Sequence, residues 1–501
     1  MRRIFVFCLL FLALSNFIYA EELKDFILEA DKLSYNEDGT VVEAEGNVSA
    51  THKDITIKSQ KLTYKVNDGV LHAWGGFEMK MENLSLAGDI LDYNLKTRTG
   101  EAENVDMYFE KAHLTGKYVE LAEEEIVLKN ASFTGCDQEE THYNITASSL
   151  ILYPREGWLI CYFGYFWGGN IPLVPVPAYI FDVSAYGVGR REIKNAPPVP
   201  EFGSNEEDGS YVNVRFAWLA SRKLHGKFLI SYAENNGWGT GVEGNYTYND
   251  NNTGDFRVYS DPRNNMYGGL THIYSFGPSL DAGRKYFFGL FNVRELLLFD
   301  LITNFSYRER INYERITVLP DVTLKLNDTP LFLERLKFGG SLTYGVISEE
   351  STIKTGRGRV TTDLNYEIPT DLGKFGLGVG YNQSWYEDFG TWTRLTQLTS
   401  YSNTWGNIDG YFGHLHYLTY DGASPFNYEN YNLIPSDEIY LNLGYNFFFH
   451  RVGVNYTYYV PSMQPRDLDY ITTIAFHCYD IEFTYRAIRK EFQFGFSLVT
   501  R

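Results

Sequence analysis

The chain has 501 residues, enough for one large closed sheet together with a further domain. Aromatic residues make up 17% (40 Tyr, 35 Phe), charged residues only 21%, the net charge is −19 and the mean hydropathy is −0.28. These values exclude a bundle of membrane helices, which needs apolar runs of about 20 residues, a disordered chain, which is poor in aromatics, and an ordinary nucleic-acid binder, which is basic.

Arg2 and Arg3 precede an apolar run, Ile4–Leu14, and Ser15–Ala20 leads to Glu21-Glu22. This reads as a secretory signal over residues 1–20, cleaved after Ala20. The apolar run is too short for an anchor helix. Cys8 lies inside it, too early to carry a lipid. Three cysteines remain, Cys136, Cys161 and Cys478, in an exported chain that can oxidise them.

Residues 30–136 repeat. Leu33-Ser-Tyr35 recurs as Leu62-Thr-Tyr64 and Leu91-Asp-Tyr93, at steps of 29 residues. Glu43-Ala-Glu-Gly-Asn-Val48 recurs as His72-Ala-Trp-Gly-Gly-Phe77 and Glu101-Ala-Glu-Asn-Val105. Turn-like tracts, Asn36–Gly39 and Asn67–Gly69, separate the halves of a unit. Short alternating strands at this period predict a stacked β-solenoid or open jelly roll. Leu33, Tyr35, Val48, Leu62, Tyr64, Phe77, Leu91 and Tyr93 then fall on one stacked face. That face is either a packed repeat core or a groove lined for an acyl chain. Residues 21–190 carry 28 acidic and 14 basic side chains, which disfavours capture of polyanions and points to apolar recognition.

Residues 157–181 hold no charge. Pro172, Pro175 and Pro177 argue against a helix, so two strands entering a membrane region are expected. From Tyr211 onward, segments of 8–12 residues alternate apolar and polar, ending in Phe492-Gln-Phe494-Gly-Phe496-Ser-Leu498. Membrane strands need about 9–11 residues. Roughly 16–20 such segments fit after Ile171, and they predict a closed antiparallel barrel. A soluble propeller is the alternative, but no blade-length repeat occurs. No GxSxG, HExxH, P-loop or Cys-x-x-Cys pattern is present, so no catalytic residue, metal ligand or cofactor is expected. His414 and His416 share a strand face without a matched second pair.

This order of parts resembles the LptD/OstA family of outer-membrane lipopolysaccharide-assembly proteins, in a short form. Ala30-Asp-x-Leu33-x-Tyr35 with Glu43-Ala-x-Gly46-x-Val48 is similar to the repeat of the periplasmic bridge protein LptA. Phe133-Thr-Gly-Cys136 and Ala147–Trp158 resemble the end of the family's periplasmic domain, Ile171–Tyr179 its first barrel strand, and Phe476–Arg486 its C-terminal cysteine segment. The resemblance implies an all-β fold: a periplasmic domain of LptA-like repeats over residues 21–170 and an integral outer-membrane barrel over 171–501. It implies a disulfide between Cys136 and Cys478, with Cys161 unmatched. It implies passage of lipopolysaccharide along the groove and out through a lateral gate, without enzymatic chemistry. Pro172, Pro175, Pro177 and Pro200 would soften that gate against Phe492, Phe494 and Phe496. Implied partners are lipopolysaccharide, an LptA-like bridge, an LptE-like lipoprotein and the barrel-assembly machinery, with no nucleic acid. A porin-like channel with a periplasmic anchoring domain is the runner-up, and an outer-membrane hydrolase a third reading.

Overall fold

A computed structural model describes residues 26–498 apart from 82–83, 111, 139, 156, 183–199, 207, 222, 261–265, 280–296, 313, 332–334, 351–352 and 432–436. The expected signal segment lies outside the described residues. The chain forms two packed units, Met1–Phe133 with Ser148–Pro154, and Thr134–Ala147 with Arg155–Arg501.

The first strands are β1 (Phe26–Glu29), β2 (Lys32–Tyr35), β3 (Val41–His52), β4 (Ile55–Lys65), β5 (Val70–Met81), β6 (Leu84–Asn94), β7 (Thr99–Phe109) and β8 (Ala112–Leu121). They continue as β9 (Ile126–Thr134), β10 (Tyr143–Tyr153), β11 (Trp158–Gly168) and β12 (Ile171–Asp182). All twelve belong to one sheet, in which β3 to β12 follow in chain order and β1 and β2 both pair with β3.

The 29-residue period has a structural cause. Gly46, Gly75 and Asn104 stand at equivalent points of three repeats, with φ of +75°, +79° and +52°. Glycine and asparagine reach this left-handed region at low cost, so each repeat can bend there. The ladders shift register at the first two bends, between Glu45 and Val48 and between Trp74 and Phe77. Amide groups secure the corners: Asn47 Nδ2 donates to Asp31 Oδ2 (2.9 Å) and Asn104 Nδ2 to Asp89 Oδ2 (2.7 Å).

Beside the bends, one rung crosses six strands: Ala44, Leu62, Ala73, Leu91, Ala102 and Val119 are successive register partners. Each is at most 1% exposed. Alternating small and large side chains lets neighbouring rows interdigitate at close-packed density.

The uncharged stretch forms a hairpin, as expected, but in a different sheet. β12 pairs with β11 from Gly168↔Ile171 to Trp158↔Asp182 and ends the N-terminal sheet, so it is not the first barrel strand. Pro175 and Pro177 are two apart and lack donors on the same side of the strand, which suits an edge that accepts no further neighbour.

Among the described residues, eighteen antiparallel strands close the barrel, from β13 (Glu201–Asn205) to β30 (Glu491–Leu498). On β23 (Gly373–Tyr386) the outward Phe375, Leu377 and Val379 are exposed, while Gly376, Gly378 and Gly380 occupy the alternate positions. The inner face is polar. The hydroxyls of Thr323 and Thr343 lie 2.8 Å apart and those of Ser341 and Thr361 2.7 Å apart. This apolar-out, polar-in alternation keeps the mean hydropathy mild.

Candidate functional site

Closure of the barrel rests on a short strand. Among the described residues, β13 meets β30 in three registered pairs, Phe202↔Phe494, Gly203↔Gln493 and Ser204↔Phe492. On its other side β30 pairs along its whole length with β29 (Tyr479–Arg486), from Arg486↔Glu491 to Tyr479↔Leu498. Continuing the β13 register would set Pro200 opposite Phe496, and proline has no N–H to donate. Among the described residues Phe496 pairs on the β29 side alone, with Ile481.

The seam is lightly fastened beyond these pairs. The Phe202 and Phe494 rings are 6.4 Å apart, and Phe483 meets Phe494 edge-on at 5.3 Å. At its far end Lys490 Nζ lies 2.9 Å from Glu206 Oε1, with both side chains about 70% exposed. So exposed a pair adds little to the seam. A cavity of about 190 Å³ sits here, lined by Ser204, Tyr211, Arg486, Phe492 and Gln493. Of the expected gate residues, Pro200, Phe492, Phe494 and Phe496 lie at or beside the seam. Pro172, Pro175 and Pro177 do not, because β12 belongs to the other sheet.

A second constellation joins distant parts of the chain. Cys136 and Cys478, 342 positions apart, bring their sulfurs to 2.6 Å, and both residues are buried. His142 Nδ1 is 3.5 Å from each sulfur. His477 Nδ1 is 2.9 Å from the Cys478 sulfur and 3.9 Å from that of Cys136. The Cys136 amide donates to Thr134 Oγ1 (3.1 Å), whose hydroxyl donates to the Tyr143 carbonyl (2.7 Å). Opposite it, the turn between β28 (Gln464–Ala475) and β29 is closed by Phe476 N donating to Tyr479 O (2.8 Å), and their rings stack at 4.6 Å. Cys161 is buried apart from this group in β11, and burial pushes its thiol up to about 12.

The expected groove residues divide. Val48, Leu62, Tyr64, Phe77, Leu91 and Tyr93 are at most 4% exposed and pack with the other strand rows. Leu33 and Tyr35 are 38% and 65% exposed on β2, beside which no earlier repeat is present among the described residues. Burial pushes the Tyr93 hydroxyl up to about 12.

One polar cluster has no signal in the sequence. The connection between β25 (Ile408–Gly422) and β26 (Glu438–Phe447) carries a short helix, α1 (Asn427–Asn430). It bonds to strands far around the wall, so it sits inside the barrel mouth. Glu429 accepts from Arg357 (2.6 Å), from Tyr386 (2.6 Å) and from Arg359. Glu349 accepts from the amides of Asn427 (2.9 Å) and Tyr428 (3.0 Å). Phe426 fills an apolar seat with Ile316, Ile347 and Trp392. Burial pushes the Glu429 carboxyl up, but Arg359 and Arg357 outweigh it and hold it below its usual value. His414 and His416 both face Asp437, at 3.6 and 2.5 Å. Among the described residues neither belongs to a cluster of metal-binding donors.

Residues 28–157 match the family described as "LptA/(LptD N-terminal domain) LPS transport protein". The chain is 23% identical over 164 residues to the LPS-assembly protein LptD of Mannheimia succiniciproducens, covering 32% of this chain and 20% of that protein. To the namesake of Haemophilus influenzae (strain ATCC 51907 / DSM 11121 / KW20 / Rd) it is 22% identical over 172 residues, 34% and 21% of the two chains. The chain thus matches about a fifth of the length of these relatives. Solved structures overlap it loosely. The P pilus usher (PapC) translocation pore has a TM-score of 0.23 at 9% identity, covering 93% of this chain and 96% of that one. The DcaP channel of Acinetobacter baumannii has a TM-score of 0.29 at 11% identity, covering 62% and 99%. A repeat domain similar to the LptA/LptD N-terminal family is thus followed by a closed antiparallel barrel, and the chain is an integral outer-membrane protein with its N-terminal domain in the periplasm.

Proposed function

We propose that the protein assembles lipopolysaccharide into the outer leaflet, releasing it sideways between β13 and β30. The observation that carries this reading is the three-pair seam with Pro200 at its margin. A lipid with apolar chains and a sugar head must leave a barrel laterally, because only an opened wall lets the chains enter the bilayer while the head stays in water. Among the described residues this is the least-paired junction and so the cheapest to open, since each broken ladder bond exposes a donor and an acceptor. The family supports the cargo, as relatives bear the name LPS-assembly protein. The exposed β2 would meet an LptA-like bridge. An LptE-like lipoprotein and the barrel-assembly machinery complete the expected partners. A disulfide between Cys136 and Cys478 would tie residues 134–147 to the β28–β29 turn. The seated α1 argues against a permanently open porin.

Ser204 and Phe492 are register partners across the seam, so Ser204→Cys with Phe492→Cys can lock it. In cells that depend on this chain, oxidation should reduce surface lipopolysaccharide, and reduction should restore it. Unchanged export with complete cross-linking rejects the lateral exit.

A further inference from the structure

Cys136, His142, His477 and Cys478 each offer one donor atom, and the four donors all lie within 4.8 Å of one another. We infer that in its reduced state this cluster binds one divalent metal ion of the zinc type, with both thiolates and both imidazoles as ligands. The inference stands apart from lipid export and concerns how the junction is held.

Chemistry selects the ion. Two thiolates and two imidazoles form a soft, tetrahedral donor set of the kind that closes structural zinc sites. Bond lengths of about 2.3 Å to sulfur and about 2.0 Å to nitrogen give a tetrahedron with edges of roughly 3.3–3.8 Å. Two of the observed edges, both 3.5 Å, already have that length, and a third, at 3.9 Å, needs to shorten slightly. The sulfurs, at 2.6 Å, need to part by about an ångström, and the His477–Cys478 edge, at 2.9 Å, by about half that. Both are side-chain adjustments in a turn and a loop. Coordination replaces the two thiol protons, so the ion enters as two protons leave.

The surroundings complete such a site. His477 Nε2, on the far side of its ring, lies 3.1 Å from Asp137 Oδ1. A carboxylate on the outer nitrogen fixes ring orientation and raises the basicity of the inner one. Both cysteines are buried whereas both histidines are exposed, so an ion can reach the sulfurs from the histidine side. Bond formation between the two sulfurs removes both thiolates, so metal and disulfide exclude one another. Either one joins the same two segments, and the junction can be closed before oxidation.

The whole protein, in detergent and reduced with a phosphine, is titrated with Zn²⁺ and separately with Co²⁺. One equivalent should bind, and cobalt should show thiolate charge transfer with tetrahedral ligand-field bands. His142→Ala and His477→Ala should each lose stoichiometric binding while keeping the heat-modifiable gel mobility of a folded barrel. His477→Cys should restore it with a stronger thiolate band. Asp137→Asn should weaken it by about tenfold. Absence of binding to the reduced wild type, equal binding to the oxidised protein, or an unchanged cobalt spectrum in the His142→Ala/His477→Ala double variant overturns the inference.

Discussion

Glu429 links a single side chain to the behaviour of the barrel mouth. Its carboxylate is 5% exposed and meets Arg357, itself 8% exposed. Breaking a buried ion pair by removing one partner costs about 3–5 kcal/mol, because the other charge stays buried. Glu429→Gln keeps the volume but leaves Arg357 with Asp321 as its remaining carboxylate, at 3.1 Å. The variant should unseat α1 and raise ion conductance in planar bilayers, and equal conductance would mean that α1 does not occlude the mouth. Acid should act in the same direction. The carboxyl is held below its usual value, so its contribution is complete above the unfolded value of about 4.3 and is lost as pH falls through the lower folded value. Wild-type conductance should therefore stay flat from neutral pH to about 5 and rise only in stronger acid.

At the scale of strands, the rung from Ala44 to Val119 decides what the repeat does. Leu62→Ala and Leu91→Ala remove side chains with no exposure and should each cost about 2–5 kcal/mol in denaturant melts of the whole protein. Leu33→Ala should cost less than about 1 kcal/mol, since Leu33 is already 38% exposed. Equal costs at all three positions would contradict the packed-core arrangement. Much of this was legible in the chain itself. Leu-x-Tyr at 29-residue steps marks the buried face, and Gly46, Gly75 and Asn104 mark the bends. What could not be read was where the sheet stops. Pro175 and Pro177 signal an edge, but edges occur both at a barrel seam and at the end of an open sheet, and local sequence cannot choose between them. The structure chooses the open sheet. Pro175→Val with Pro177→Val should then restore edge donors and promote self-association, visible by light scattering, while leaving the seam unchanged. A loss of export without association would return these prolines to the gate.

For the whole molecule, the decisive contact spans 342 positions, from Cys136 to Cys478. The two cysteines were recognisable through a family resemblance. His142 and His477 were not, because no local spacing links them, and only closure of the barrel brings the β28–β29 turn to the loop after β9. A loop this long gives a cross-link large entropic leverage, about 6 kcal/mol on a chain-entropy estimate. That figure is an upper bound here, since membrane strands do not unfold into a free coil. The consequence is therefore expected in connectivity more than in barrel stability. On non-reducing gels the denatured wild type should run faster than the reduced form. Cys478→Ser should abolish the difference and Cys161→Ser should preserve it. Barrel heat-modifiability should survive Cys478→Ser, because the eighteen-strand closure does not pass through that sulfur. What should change is protease access: with neither bridge nor metal, cleavage should appear first between residues 134 and 147. Protection of that segment in Cys478→Ser would mean that packing alone holds the junction, and that the cysteines are dispensable to it.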